Sequence, residues 1–268
     1  MSRSKCQDAI LSVRNLQVYF PVKKGVMKRV VGYVHAVEDV SFDVRPREVF
    51  ALVGESGCGK TTTGSSILRL IKPTGGKVYF KGEELGALSE HTLRLKRRDM
   101  QFVFQNPYSS LNPRMNVYQL LSEPLKLHFD LKGTELREKV EEMLKSVGMT
   151  PDQLERYPHQ FSGGQKQRIS IARALITHPS FVVADEPVSA LDVSIQAQIL
   201  NLMMELQQEM ELSLIFISHD LNVVRHISNS VGVMYLGSIM EMGETEEVYR
   251  HPAHPYTRAL LSAMPSHD

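Results

Sequence analysis

Eight consecutive residues, Gly54 to Thr61 (GESGCGKT), match the pattern G-x-x-x-x-G-K-[ST] at every fixed position. Glycines let the backbone wrap so that successive amide groups point inward at phosphate oxygens. The Lys60 ammonium is expected to reach the β and γ phosphates of a nucleotide, and the Thr61 hydroxyl to ligate Mg²⁺. The pattern therefore predicts a nucleotide-phosphate site made by Gly54, Glu55, Ser56, Gly57, Cys58, Gly59, Lys60, Thr61 and Thr62.

Two adjacent carboxylates, Asp185 and Glu186, end a second apolar run, FVVADE. In nucleotide-binding folds of this kind, a strand beside the first ends in an aspartate that holds the Mg²⁺ shell, and Asp185 fits that position. A nearby cation compensates the cost of burying this acid. Glu186 is expected to leave the strand end in a different direction and to polarise a water in line with the γ-phosphate. The alternative is an acid-rich helix N-terminus.

The segment FSGGQKQRISIARAL (residues 161–175) predicts a second anion-binding helix start. Ser162 is a good N-cap, and Gly163 and Gly164 allow close backbone approach. A single nucleotide does not need two such sites. Here the sequence resembles the ATP-binding-cassette family, whose signature is LSGGQ. In that family the signature contacts the γ-phosphate bound to the other subunit, so the resemblance implies that two ATP molecules lie between two cassettes, with Gln165 also at the contact.

The same resemblance implies roles for further positions. Gln105, at the end of MQFVFQ, matches the glutamine that touches Mg²⁺ or the attacking water and senses the transmembrane partner. His219, in IFISHD, matches the switch histidine that contacts the γ-phosphate. The turn 189–192 (SALD) matches the segment that crosses the dimer interface, and Asp192 ends it. Taken alone, Gln105 suits a surface glutamine and His219 a histidine satisfied inside a core.

The position of the adenine base is the least defined. The family usually stacks the base on an aromatic residue near the end of the first strand, which here reads NLQVYF. Phe20 matches that place best. Tyr19 and Tyr33 remain rivals because the loop before Ala36 is longer than usual, and all three aromatic residues also suit core packing.

Strand and helix patterns alternate around these motifs. The N-terminal segments alternate apolar and polar residues, EVFALVG is a buried strand, and ELREKVEEMLKSVG is an amphipathic helix. With the resemblance, this predicts an α/β P-loop ATPase fold with a mixed sheet, an antiparallel N-terminal region and an inserted helical subdomain. The expected single domain (1–268) divides into a core lobe (1–105 and 177–245), a helical signature lobe (106–176) and a C-terminal segment (246–268).

Composition sets broad limits on the class of protein. The formal net charge of +1 gives no electrostatic case for nucleic-acid binding. Two cysteines, Cys6 and Cys58, have no metal-like spacing and fit a reducing compartment. No apolar run approaches the ~20 residues of a membrane-spanning helix. We therefore expect a soluble, cytoplasmic chain that reaches the membrane only through partners.

Two stretches narrow the resemblance to the oligopeptide/dipeptide importer branch, which includes nickel uptake systems. They are QNPYSSLNPRM (residues 105–115) and HPYTRALLSAMP (residues 254–265). VSALDVSIQAQILNL is more like the F-type ATPase of a heterodimeric pair. The resemblance implies a D-type ATPase partner, two membrane permeases at the cytoplasmic face and an extracytoplasmic binding protein. The cysteine cluster that holds an iron–sulfur centre in many relatives is not in this sequence.

The loop after Gln105 is too apolar for a simple solvated connector. Tyr108, Leu111, Pro113 and Met115 predict a groove for a short cytoplasmic helix of a permease, with internal packing of a turn as the alternative. Two other classes compete with the importer ATPase. A soluble cassette protein of repair or translation usually carries two cassettes or a long coiled coil, and a P-loop kinase leaves the SGGQ segment unexplained.

Overall fold

The computed structural model describes residues 9–25, 28–106 and 110–263. They form two compact units, one with residues up to Ser89 and from Ile215 onward, the other with Glu90–Leu214. The elements in chain order are β1 (Leu11–Lys24), β2 (Arg29–Val44), β3 (Val49–Val53), α1 (Lys60–Ile67), β4 (Gly75–Phe80), β5 (Glu83–Glu84), α2 (Glu90–Lys96), β6 (Met100–Val103), α3 (Val117–Phe129), α4 (Gly133–Ser146), α5 (Gly163–Leu175), β7 (Phe181–Asp185), α6 (Val193–Glu209), β8 (Ser213–Ser218), α7 (Leu221–Ile227), β9 (Ser230–Tyr235), β10 (Ser238–Glu244), α8 (Thr245–Arg250) and α9 (Pro255–Ser262).

An antiparallel sheet with strand order β2-β1-β4-β5 opens the first unit. In β1 the buried apolar residues are Leu11 and Val13, then Leu16 and Val18, so their alternation shifts by one position. A β-bulge between Val13 and Leu16 produces this shift, because two residues of β1 there face a single residue of β2. The described residues of the basic segment PVKKGVMKRVVG form the far end of the β1–β2 hairpin.

A mixed sheet in the same unit carries the phosphate-loop motif. β3 pairs in parallel with β9, β9 pairs antiparallel with β10, and β8 lies on the other side of β3. Every residue of β3 is buried, as is every residue of β8. All-apolar strands of this kind are covered on both faces. The predicted α/β fold with an antiparallel N-terminal region and a mixed sheet is confirmed.

In the second unit, β6 and β7 pair in parallel, from Met100 opposite Phe181 to Val103 opposite Ala184. Parallel strands end at the same edge of their sheet, which is where functional side chains of α/β folds gather. Gln105 follows β6 by two residues, Asp185 ends β7 and Glu186 comes directly after it. The pairing therefore brings together two motifs that are some 80 residues apart in the chain.

The predicted amphipathic helix is confirmed as α4. It buries Leu136, Val140, Met143 and Leu144, which share one face at helical spacing. Gly148 follows with a φ of +71°, the left-handed conformation that commonly ends a helix. Within the described ranges, no helix combines the length and the apolar character needed to cross a membrane.

The Asn116 side chain stabilises the start of α3. Its Oδ1 accepts a hydrogen bond from the Gln119 amide, and the Gln119 side chain accepts one from the Asn116 amide, each at 2.9 Å. Because capping satisfies amides that have no partner inside the helix, Asn116→Ala should lower the free energy of unfolding by about 1 kcal/mol in urea denaturation. Asn116→Ser, which keeps an acceptor, should remain near the parent. Equal losses in both variants would contradict the capping role.

Candidate nucleotide site

The predicted phosphate loop connects β3 to α1 and uses glycine at each strained position. Gly54, Gly57 and Gly59 have φ values of +147°, +81° and +109°. Side chains of L-residues disfavour this region, so glycine is required there. Glu55, Ser56 and Gly57 are exposed at the top of the loop, whereas Cys58 is buried beneath it.

Two of these glycines also lie against backbone carbonyl groups. A Cβ placed on Gly59 would be 2.2 Å from the carbonyl oxygen of Ala36 in β2. A Cβ placed on Gly54 would be 2.1 Å from the carbonyl oxygen of Met234 in β9. Both distances are far inside van der Waals contact, so these positions require glycine for space as well as for conformation.

Lys60 lies inside the loop and is only 5% exposed. Its ammonium donates to the carbonyl oxygens of Gly54 at 2.8 Å and Glu55 at 2.9 Å. The ammonium also lies 3.8 Å from the Cys58 sulfur. Burial raises the pKa of the Cys58 thiol more than the neighbouring ammonium lowers it, so the thiol stays neutral. The loop thus encloses a positive charge at the place where phosphate is expected.

The start of α1 completes the loop. Amides in the first turn of a helix have no partners inside the helix and carry partial positive charge. Thr61 lies exposed in this turn and Thr62 is half-exposed. Thr63 is buried and its hydroxyl donates to the Gly59 carbonyl oxygen at 3.0 Å. Thr61 is therefore an exposed residue at the position predicted for a metal ligand, while Thr63 supports the loop.

The two acids at the end of β7 have different backbone conformations. Asp185 is the last residue of the strand and is 3% exposed. Glu186 has a φ of +43°, an uncommon left-handed conformation for a residue with a side chain. The backbone therefore changes direction immediately after Asp185. That the two carboxylates act on different targets stays a prediction. Strained non-glycine residues of this type tend to occur at functional sites.

Gln105, Glu186 and Ser189 form a hydrogen-bonded cluster in the second unit. The side-chain nitrogen of Gln105, Nε2, donates to Glu186 Oε2 at 2.9 Å and to the Ser189 hydroxyl at 3.4 Å. The Ser189 hydroxyl donates to the Glu186 carbonyl oxygen at 3.1 Å. Sequence reasoning placed Gln105 near metal and water but missed its direct bond to Glu186. It also missed the local role of Ser189, although a serine three residues after a turn residue is a signal for such a bond.

The FSGGQ segment begins α5 with a reciprocal capping box. The Gln165 amide donates to Ser162 Oγ at 3.3 Å, and the Ser162 amide donates to Gln165 Oε1 at 3.0 Å. Gly163 and Gly164 form the first turn, and a Cβ on Gly164 would be 2.6 Å from a methyl group of Ile195. The predicted N-cap role of Ser162 is confirmed, and Gln165 has a structural role in the cap. Asp192 is exposed immediately before α6.

His219 and Asp220 follow β8, and both are exposed. The Asp220 carboxylate accepts from the amides of Asn222 at 2.9 Å and Val223 at 3.2 Å, which caps α7. The cap explains why an aspartate follows the histidine in this motif. His219 belongs to the first unit, together with the phosphate loop.

The aromatic residues of the hairpin differ in their surroundings. The Tyr19 ring stacks on His35 with centroids 4.1 Å apart, and the Tyr19 hydroxyl donates to Glu38 at 2.5 Å. Phe20 lies opposite Val34 on the other face of the hairpin and is 40% exposed. The Tyr19 ring is already stacked on His35, whereas Phe20 is exposed, so Phe20 stays the predicted adenine residue. Tyr33 is more exposed still, on the Tyr19 face.

The residues predicted to line a permease groove differ in how exposed they are. Tyr108 lies outside the described residues. Leu111 is 3% exposed, so it packs internally and does not line an open groove. Pro113 is exposed and Met115 is half-exposed. The interpretation of Leu111 as a groove residue was wrong, because the apolar character that suggested docking serves the core of the unit.

Few side chains of the described residues are placed to bind a metal ion. Across the described part of the chain, no group of three or more His, Cys, Asp or Glu side chains is arranged to hold a metal ion. Mg²⁺ usually binds through one or two carboxylates together with substrate phosphates and waters. The Asp185 carboxylate in the second unit and the Thr61 hydroxyl in the first unit are each hard oxygen donors of the type that Mg²⁺ prefers.

A strand, a glycine loop around a buried lysine and a following helix define a P-loop ATPase site. Residues 37–189 match the family model described as ABC transporter. Residues 240–268 match the model described as oligopeptide/dipeptide transporter, C-terminal region. The chain belongs to the ABC transporter family and carries the ATPase domain of that family.

Individual relatives and solved structures agree with this assignment. The chain is 54% identical over 260 residues to the oligopeptide transport ATP-binding protein AppF of Bacillus subtilis (strain 168), covering 97% of this chain and 79% of that one. It is 50% identical over 258 residues to the glutathione import ATP-binding protein GsiA of Escherichia coli (strain K12), covering 96% of this chain but 41% of that one. The ATP-binding cassette MJ0796, in a dimeric post-hydrolysis state bound to ADP and Pi, is similar with a TM-score of 0.77 at 29% identity, covering 88% and 98%.

The close contacts of the loop glycines generate a prediction about stability. Gly59→Ala should lower the free energy of unfolding by roughly 2–4 kcal/mol, because both φ and the Ala36 carbonyl oppose a Cβ. Gly57→Ala is the matched control, since its φ is also positive but nothing lies within 4 Å of the place its Cβ would occupy. Gly57→Ala should lower the free energy of unfolding by about 1–2 kcal/mol, which is the cost of the left-handed conformation alone. Equal losses in urea denaturation would show that the Ala36 contact is unimportant.

Proposed function

We propose that this chain is the ATP-hydrolysing subunit of an importer for oligopeptides or dipeptides, bound to permeases at the cytoplasmic face of the membrane. The observation that carries the proposal is the joint presence of an ABC ATPase site and the oligopeptide/dipeptide C-terminal region in one chain. The relative named for oligopeptide transport is aligned over nearly the whole chain and most of its own length, which supports the same conclusion.

Nucleotide binding follows from the geometry of the loop. Lys60 would exchange the carbonyl oxygens of Gly54 and Glu55 for β and γ phosphate oxygens, which are stronger acceptors because they are charged. The amides of the loop and of the first turn of α1 would complete the cradle. Phe20, exposed on the β1–β2 hairpin, would stack on the adenine base.

Thr61, Asp185 and Gln105 would hold Mg²⁺ together with the phosphates. When bound, the ion neutralises charge on the phosphate oxygens. The Glu186 carboxylate would orient the attacking water and accept its proton, and Gln105 would hold that carboxylate in place through its hydrogen bond. His219 would contact the γ-phosphate after closure.

Hydrolysis would require a second cassette, which we propose to be a D-type paralogue. The N-terminus of α5, with Ser162, Gly163 and Gly164, offers amides to the γ-phosphate of the opposing site. Gln165 would exchange its capping bond for contacts across the interface. Asp192 is exposed at the start of α6 and would take part in the same contact.

Transport would follow from closing and reopening of the two cassettes. The helical lobe would receive a permease helix near Pro113 and Met115, and an extracytoplasmic binding protein would deliver the solute. Import of nickel or another small solute by the same machinery is the main alternative. A soluble ABC ATPase unlinked to transport is disfavoured by the C-terminal region, which matches a transporter model.

Two substitutions separate binding from hydrolysis. In the complex purified with its partners, Glu186→Gln should reduce ATP hydrolysis at least 100-fold while the Kd for ATP changes less than threefold, because the amide keeps the Gln105 contact but accepts no proton. Lys60→Ala should instead weaken ATP binding at least tenfold. Glu209→Gln, on an exposed turn of α6, is the control and should change neither quantity. Near-parental hydrolysis in Glu186→Gln would refute the assignment of the base.

The transport role is tested by isolating the chain from its native membrane. A tagged chain should co-purify with two permeases and a second ABC ATPase, and the associated binding protein should retain peptides in a ligand screen. Retention of nickel but not peptides would favour the alternative solute. A chain that purifies without any membrane protein would contradict the importer proposal.

A further inference from the structure

The C-terminal segment HPAHPYTR reaches the phosphate loop through Tyr256. The Glu55 amide donates to the Tyr256 hydroxyl at 3.4 Å. The Tyr256 ring packs on Tyr235, with centroids 4.4 Å apart and planes 40° from parallel. Glu55 and Tyr256 belong to the same unit but are 201 residues apart in the chain. A residue of the branch-specific C-terminal region therefore contacts the backbone of the predicted nucleotide site.

The rest of this segment holds Tyr256 in place. Glu241, on β10, accepts from the amides of Ala253 at 2.7 Å and His254 at 3.0 Å. His254 Nδ1 accepts from the Tyr256 amide at 3.1 Å and so caps α9. Arg258 donates back to the preceding backbone, at the Pro252 carbonyl oxygen, at 2.8 Å. The first turn of α9 is thus tied to β10, and Tyr256 has a defined position.

The turn between β9 and β10 already contacts the loop from the same side. The Gly237 amide donates to the Cys58 carbonyl oxygen at 2.9 Å, and the Gly237 carbonyl accepts from the Glu38 amide at 2.7 Å. Tyr235 ends β9 immediately before this turn and supplies the ring on which Tyr256 packs. Tyr256 therefore extends an existing contact surface from Cys58 to Glu55.

The Glu55 backbone is held at both of its polar groups. Its amide donates to Tyr256, and its carbonyl oxygen accepts from the Lys60 ammonium at 2.9 Å and from the Cys58 amide at 3.3 Å. The Glu55 amide shares its peptide group with the Gly54 carbonyl oxygen, which accepts from the Lys60 ammonium at 2.8 Å. The contact with Tyr256 therefore acts on a peptide group that Lys60 also contacts. Burial raises the pKa of Tyr256, so its phenol is neutral at physiological pH and accepts the amide hydrogen without adding charge near phosphate.

We propose that Tyr256 is a positioning residue for nucleotide binding, which holds the Glu55 backbone so that the phosphate loop keeps its receptive shape. The contact that the structure shows is with the backbone of the loop. This inference rests on the proposed function, because it requires that residues 54–61 bind phosphate. It also gives the C-terminal region of this branch a task inside the ATPase site, beyond packing of α9.

The test measures the Kd for a slowly hydrolysed ATP analogue and the urea midpoint of the full chain. Tyr256→Phe removes the hydroxyl and keeps the ring, and should raise the Kd roughly two- to tenfold, the factor that one neutral hydrogen bond is worth. Tyr256→Ala should raise it further. In the hydrolysing complex, Tyr256→Phe should raise KM by a similar factor and leave kcat within twofold, the pattern expected when binding is lost equally in the ground state and the transition state.

The matched control is Tyr249→Phe, which also removes one hydroxyl from the first unit. Tyr249 donates to the Leu221 carbonyl oxygen at 2.7 Å, and it is not part of the loop contacts described above. This variant should lower the urea midpoint and leave the Kd unchanged. If Tyr256→Phe behaves in the same way, its role is structural and the inference is overturned.

Lys60→Ala distinguishes this inference from the proposed function. If Lys60→Ala weakens analogue binding and Tyr256→Phe does not, the positioning role fails while the nucleotide site stands. If Lys60→Ala binds the analogue as well as the parent, the assignment of the loop itself fails, and the inference fails with it.

Discussion

The nucleotide site depends on one steric constraint, the close approach of the phosphate loop to two backbone carbonyl groups. Gly54 lies against Met234 and Gly59 against Ala36, at distances that leave no room for a Cβ. These contacts attach the two ends of the loop to β9 and β2. The backbone between them can then keep the left-handed conformations that direct amides toward an anion. The buried Lys60 ammonium supplies the positive charge inside this frame.

The paired acids depend on a second backbone feature. Two adjacent carboxylates on a regular strand would point to opposite faces of the sheet, since side chains alternate along a strand. The strand ends at Asp185, and the left-handed conformation of Glu186 starts a turn. A conformation of this type costs about 1–2 kcal/mol. Hydrogen bonds from Gln105 and Ser189 help offset this cost, so the strain at Glu186 is maintained by its neighbours.

The C-terminal region is part of the same structure and not an appendage. It begins on β10, continues through α9 and returns to the phosphate loop at Glu55. The family model for ABC transporters and the model for the oligopeptide/dipeptide C-terminal region match separate segments of the chain. In three dimensions the two segments meet, because β9 pairs with the strand that leads into the loop and β10 pairs with β9.

Much of the site could be predicted because its chemistry is encoded locally. Glycines at fixed intervals, a lysine and threonine after them, and acids at the end of an apolar run are patterns of neighbouring residues. The capping box at Ser162 and the helix end at Gly148 are local in the same sense, and the structure contains both. The sequence by itself therefore determined the motifs, the α/β class and the family resemblance.

Only the tertiary structure decided which residues surround these motifs. Tyr19 and Phe20 are neighbours in the chain, but one stacks on His35 and the other is exposed, because strand pairing places them on opposite faces. Leu111 looked like a docking residue and is buried. The contact of Tyr256 with the loop spans 201 residues. Periodicity and spacing carry information about neighbours along the chain, whereas these contacts depend on how distant strands pair and pack.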